Sequence, residues 1–157
     1  MRYVMIIVTL VILASVFSIA NPSGKTNRTF TDTLEAERNF YMQQVLNSIK
    51  GKEKLNADSV FKDLKTFKGV KNFTAEHFLL MMNIGWGKGL GISCTYCHNP
   101  GNWASEEKPQ KEIARQMYGL RRIINDNLKQ INNLHDNPAR VNCFTCHRGK
   151  ILPVEDE

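Results

Sequence analysis

The chain has 157 residues, a formal charge of +6 at pH 7 and a 42% apolar share, which together suit one small domain. The basic balance does not point to nucleic acid, because no basic cluster is interleaved with aromatics and no nucleic-acid motif is present. Only four cysteines occur, and all lie in two short motifs, so none is left for a structural bridge.

Met1-Arg2 opens an apolar run from Tyr3 to Phe17 that ends in Ser18-Ile19-Ala20 before polar Asn21-Pro22-Ser23-Gly24. A charged start, an apolar middle and small residues at the end describe a secretory signal over residues 1–20, cleaved after Ala20. The alternative is an uncleaved N-terminal membrane anchor, since about 18 apolar residues is the lower limit for crossing a bilayer. Either places the rest of the chain outside the cytoplasm, soluble in the periplasm or anchored to the outer face of the inner membrane. Residues 21–30 read as a flexible tether, and residues 31–157 as the folded domain.

Within that domain the pattern turns helical from Thr31 or Asp32 to about Lys50, with Asp32 and Glu35 as a capping box and Leu34, Phe40, Tyr41 and Val45 as a loose apolar stripe. Ala57 to Phe67 is a second expected helix, with Val60, Phe61, Leu64 and Phe67 on one face, ended by Gly69. Thr74 caps a third, stapled by Phe73 and Phe78. It carries His77, Met81 and Met82 and gives way to Gly85-Trp86-Gly87-Lys88-Gly89-Leu90-Gly91, where the glycines let the backbone turn back tightly. The longest helix is expected from Pro109 to about Asn132, with Ile113, Met117, Leu120, Ile124, Leu128 and Ile131 on one face. No strand pattern is visible, so the fold class is all-α, with about four helices.

Cys94-Thr95-Tyr96-Cys97-His98 and Cys143-Phe144-Thr145-Cys146-His147 both read C-x-x-C-H, the pattern of c-type haem attachment. Two cysteine thiols add to the porphyrin vinyl groups and the adjacent histidine coordinates the iron. Two CxxC pairs can also bind one zinc ion through four thiolates. With 4 histidines in 157 residues, both pairs being followed by histidine has a chance probability on the order of one in a thousand, which favours haem. Two covalently attached haem c groups are therefore expected, held by Cys94, Cys97, Cys143 and Cys146 with His98 and His147 as proximal iron ligands. Their four propionates, and loss of Arg2 with the signal, bring the net charge to about +1.

The opposite face of each iron decides the chemistry. A second strong ligand permits only gain or loss of an electron, whereas an open face admits oxygen, peroxide or nitrogen oxides. Met81 precedes the first motif on a helix and Met117 precedes the second, and thioether sulfur suits haem iron. Both are equally readable as packing residues. His77 and His135 compete with them, and Met82 points about 100° away from Met81 around an α-helix. Arg115, Arg121, Arg140, Arg148 and Lys150 are candidate propionate partners, and Trp86, Trp103 and Tyr96 candidate haem-packing aromatics.

From about Asn56 to Gly149 the chain resembles the cytochrome c subunit of photosynthetic reaction centres, and more closely its short relatives. The resemblance rests on Val60-Phe61-Lys62-Asp63-Leu64, the segments around both CxxCH motifs, Ala104-Ser105-Glu106-Glu107-Lys108-Pro109 and Ala114-Arg115-Gln116-Met117. It implies an all-α multihaem domain wrapped around two haems, with Met81 and Met117 as the distal ligands. It further implies one-electron transfer to redox partner proteins at the membrane surface, without catalysis. The full subunit carries four haems and many members a lipidated cysteine, both departures here. The competing reading is a dihaem peroxidase or nitrogen-oxide reductase with one open haem.

Overall fold

The computed structural model describes residues 25–132 and 139–153, with side chains from Phe30 onward. The segment read as signal or anchor lies outside the described residues, as does His135. Among the described residues no helix is long and apolar enough to cross a membrane. The chain divides into a short unit, residues 1–30, and a main unit, residues 31–157, which holds both CxxCH motifs.

The described residues form helices and no strand: α1 (Lys25–Ser48), α2 (Ala57–Val60), α3 (Ala75–Leu80), a π-helix (Met81–Lys88), a 3₁₀ turn (Cys94–Tyr96), α4 (Pro109–Leu128) and α5 (Cys143–His147). α1 starts inside the stretch read as tether, so Asp32 and Glu35 lie within the helix instead of capping it. Lys25 to Ser48 contains neither Gly nor Pro, and once a helical turn exists each further residue adds a hydrogen bond at little cost. Gly51, at φ +84°, turns the chain away after Ile49.

The helix expected over Ala57 to Phe67 stops at Val60. Phe61 is extended and Asp63 takes a left-handed conformation at φ +62°. Phe61, Leu64 and Phe67 still reach the core, but from a loop. That loop is pinned at its ends, Ala57 N–H donating to Phe73 O (2.8 Å) and Ala75 N–H to Leu55 O (2.9 Å), while Gly69 N–H donates to the Asp58 carboxylate at 2.9 Å. Thr74 caps α3 by accepting from His77 N–H at 3.2 Å.

Two small apolar clusters result. Ile49, Ala75 and Leu79 gather Met42, Val45 and Leu46 of α1. Ala57, Phe67 and Phe78 gather Phe73, Trp86 and Tyr118, with the Phe67 and Tyr118 rings 4.9 Å apart. Burying one such phenyl ring contributes roughly 1.5–3 kcal/mol. α4 by contrast buries nothing fully, and Ile113, Met117 and Leu120 are 58%, 42% and 47% exposed.

The glycine-rich stretch does not dissolve the helix as expected. It continues as a π-helix, Gly89 N–H reaching back to Ile84 O, a wider turn characteristic of functional segments. The tight reversal comes only at Gly91, with φ +63°, where an added Cβ would sit 1.9 Å from Gly149 O. Gly91→Ala is therefore expected to cost about 3 kcal/mol or more. Gly69→Ala, strained in φ (+75°) but facing open space, should cost about 1 kcal/mol. Chemical denaturation of the two variants compares them, and equal losses would show that the Gly91–Gly149 approach has no energetic weight.

Candidate functional site

Both CxxCH segments begin on capped turns. Ser93 Oγ accepts from Thr95 N–H at 3.4 Å at the start of the 3₁₀ turn. Asn142 caps α5 by accepting from Thr145 N–H at 3.0 Å, and Thr145 Oγ1 accepts in return from Asn142 N–H at 3.1 Å. Asn125 clasps the entry to α5 from α4, donating to Val141 O at 2.9 Å and accepting from Val141 N–H at 2.8 Å. Arg148 ends α5 in a left-handed conformation, and Gly149 N–H then donates to Gly89 O at 3.0 Å. The two motifs are thus built onto the two sides of one glycine-rich segment.

Each motif histidine is oriented by a backbone carbonyl. His98 Nδ1 lies 3.0 Å from Trp103 O and His147 Nδ1 lies 3.1 Å from Lys150 O. A carbonyl only accepts, so Nδ1 is the donor in each, which leaves Nε2 as the nitrogen for a metal. Burial lowers the His98 pKa, opposed by the Trp103 carbonyl, and so holds the ring neutral, the form a metal requires.

The carbonyl that orients His98 is itself held. Lys111 Nζ donates to Trp103 O (3.2 Å), Ala104 O (3.0 Å) and Ser105 O (3.0 Å). Lys108 Nζ donates to His98 O at 3.1 Å and also to Thr95 O. Lys111 pairs with Glu106 at 2.8 Å. Arg115, which sequence offered as a propionate partner, instead grips Glu106 through Nη1 and Nη2, each at 2.6 Å.

A cavity of about 380 Å³ opens beside the first motif, lined by Cys94, Cys97 and His98 together with Met82, Trp86 and Phe78, among others. Met82 lines it and Met81 does not. Met81 lies along its own helix, its Cγ 3.5 Å from where a Cβ on Gly85 would be. His77 is exposed, its ring 5.3 Å from that of Phe73 in a tilted contact, and it does not line this cavity. Trp103 also lines the cavity, in edge contact with Tyr41 at 5.6 Å.

Met117 is 42% exposed on α4, one turn before Arg121. Arg121 lies over the Tyr118 ring at 4.6 Å. Its buried Nε has no partner among the described residues. Two residues went unnoticed in the sequence: Lys111, which nothing marks there, and Arg38. Arg38 does leave a signal, a charge at helical spacing with Tyr41, Met42 and Val45.

The four thiols are unpaired, and burial raises the pKa values of Cys94, Cys97 and Cys143, keeping them as thiols. Among the described residues no three His, Cys, Asp or Glu side chains converge on a point where a metal ion would sit, so the four cysteines do not form a tetrahedral zinc set.

The family described as "Photosynthetic reaction centre cytochrome C subunit" matches residues 22–156. The chain belongs to that family. It is 43% identical over 60 residues to the photosynthetic reaction center cytochrome c subunit of Thermochromatium tepidum, covering 38% of this chain and 14% of that protein. It is 46% identical over 59 residues to cytochrome c-554 of Chloroflexus aurantiacus, covering 37% and 14%. The subunit of Rubrivivax gelatinosus is 34% identical over 86 residues, covering 48% and 23%. The matches thus span under a quarter of these relatives' lengths. No solved structure matches the chain.

Membership of a cytochrome c family implies covalently bound haem c, and the residues present fit it. The thiols are unpaired, each histidine offers a free Nε2, and the first motif borders an apolar cavity. The second stands near an uncovered apolar helix face with an unsatisfied arginine.

The Asp63, Glu106, Lys111 and Arg115 network carries a pH prediction. The Arg115 guanidinium, then Lys111, hold the Glu106 carboxyl far below the usual carboxylate range. A depressed folded pKa contributes stability above the unfolded value of about 4.3 and loses it as pH falls toward the folded one. Thermal unfolding below about pH 4.3 should therefore decline more steeply for the parent than for Glu106→Gln. Parallel acid profiles would show that the network contributes nothing.

Proposed function

We propose that the chain is a dihaem c-type cytochrome that carries single electrons outside the cytoplasm, and that it is not an enzyme. The carrying observation is at the first motif, where an oriented neutral histidine, two free thiols and a thioether, Met82, border one apolar cavity. In this reading residues 1–20 are the export signal or membrane anchor, 21–30 a linking stretch and 31–157 the haem-binding domain.

Cys94 and Cys97 attach one haem and Cys143 and Cys146 the other. Each S–H adds across a vinyl double bond, sulfur to one carbon and hydrogen to the other, with no net oxidation. Keeping the cysteines as thiols favours this over premature disulfide formation. When bound, haem supplies a one-electron iron couple.

His98 and His147 present Nε2, their Nδ1 protons fixed by Trp103 and Lys150. Such a bond sets tautomer and ring angle and raises ligand basicity. Met117 is the thioether of the second site. At the first, we favour Met82 over the Met81 expected from sequence, because Met82 is the one on the cavity wall. Met/His ligation raises the reduction potential and closes the iron to small substrates. The partners in this reading are redox proteins at the membrane surface.

Carbon monoxide added to the reduced protein tests this. The parent should not bind it, Met82→Ala and Met117→Ala should each open one haem, and Met81→Ala should open none. Each opened haem should also fall in potential by at least a tenfold change in its reduction equilibrium, about 59 mV. Rapid binding by the parent would instead indicate an open site, and binding by Met81→Ala but not Met82→Ala would exchange the two methionines.

A further inference from the structure

Arg38 is the most buried charged side chain among the described residues, at 3% exposure, and it lines the cavity of the first motif. A guanidinium stays protonated at any physiological pH, so its charge enters the interior intact. Nε donates to Asn83 Oδ1 at 3.2 Å and Nη1 to Ile92 O at 3.3 Å. These are neutral acceptors and use only two of the five N–H groups of a guanidinium. Among the described residues no carboxylate lies within ion-pair distance of it, whereas Lys65, Lys111 and Arg115, on the same cavity, are paired with Glu106.

The surrounding chain is shaped to admit this side chain. A Cβ on Gly87 would lie 2.4 Å from Arg38 Cδ, so the π-helix passes the arginine only with glycine there. Asn83, which receives Arg38, is itself fixed by donating to Asn39 Oδ1 at 2.9 Å. Arg38 is also close enough to Cys94 to act on its thiol. A buried cation with unused donors, a built passage and no protein anion calls for an anion from outside the chain.

We propose that Arg38 is the anion-binding arm of the first site and takes a propionate carboxylate of the haem attached there. The inference rests on the haem attachment proposed for Cys94 and Cys97. A carboxylate accepts from a guanidinium by charge-assisted hydrogen bonds, often two in parallel. The Arg38 charge then favours the reduced iron, which carries one positive charge less. A solute oxyanion such as phosphate offers the same chemistry, and the test separates the two.

Redox titration of purified holoprotein, after its haem content is counted, compares the parent with Arg38→Gln and Arg38→Lys. With both haems present, Arg38→Gln should lower the first midpoint by a tenfold shift in the reduction equilibrium, 59 mV for one electron. Arg38→Lys should lower it by less than half of that. Added phosphate should leave the parent midpoint unchanged. An unmoved midpoint in Arg38→Gln, or equal shifts in both variants, would overturn the proposal and leave the haem reading standing. A parent midpoint that moves with phosphate while Arg38→Gln stays put would assign the arm to a solute anion and also overturn it. If Arg38→Gln fails to hold its haem, Arg38→Lys decides: loading with a near-parental midpoint supports the arm, and failure of both contradicts it. A parent without haem would sink the underlying reading instead.

Discussion

Two hydrogen bonds govern how this chain is arranged, His98 Nδ1 to Trp103 O and His147 Nδ1 to Lys150 O. Each engages Nδ1 and leaves Nε2 as the ring's other nitrogen, on a turn that carries two thiols, and each depends on a neighbouring loop being held in place. At the first turn Lys111 ties three successive carbonyls, Trp103 to Ser105, and Glu106 in turn fixes Lys111. At the second, Gly149 is bonded to Gly89 and Lys150 N–H donates to His147 O at 2.8 Å. Ligand geometry is in this way supported by salt bridges on one side and by backbone pairing on the other, a division that follows from burial. Lys111 and Arg115, with side chains only 12% and 15% exposed, find their charge partner in the more exposed Glu106, while Gly91 approaches Gly149 too closely for a side chain.

The apolar clusters alone are small for a chain of this length. Buried hydrophobic side chains are confined to Ile49, Ala57, Phe67, Ala75, Phe78, Leu79 and Ile92 among the described residues, and no large side chain is fully buried. α4 presents Ile113, Met117 and Leu120 on a face that no protein element covers completely. A group that binds the folded chain and not the unfolded one adds directly to its stability. Family membership names that group as haem c, an apolar plate suited to such a face and to the cavity beside Cys94.

The two CxxCH turns were legible because residue type and spacing alone define such a motif. α3 and α4 were legible too, since Thr74 and Pro109 mark their starts and the 3.6-residue period runs on behind. Less visible was anything that depends on backbone detail. Phe61, Leu64 and Phe67 keep helical spacing yet reach the core from a loop, because Asp63 leaves the right-handed region. The π-helix leaves no periodic trace, and neither does the placing of Met82 instead of Met81 on the cavity lining. Arg38 lay in the apolar stripe of α1 in plain view, but a single charge there reads as a snorkelling surface residue until Gly87 is found beside it.

In the proposed reading each CxxCH turn carries a haem by thioether bonds. Intact mass spectrometry of the purified protein under denaturing conditions, paired with the absorption spectrum of its alkaline pyridine derivative, measures this directly. The expected result is a chain heavier by two haems that stay attached after unfolding, with all four cysteines unreactive to thiol reagents. A colourless chain at its apoprotein mass, four titratable thiols, or zinc bound in place of iron would contradict it.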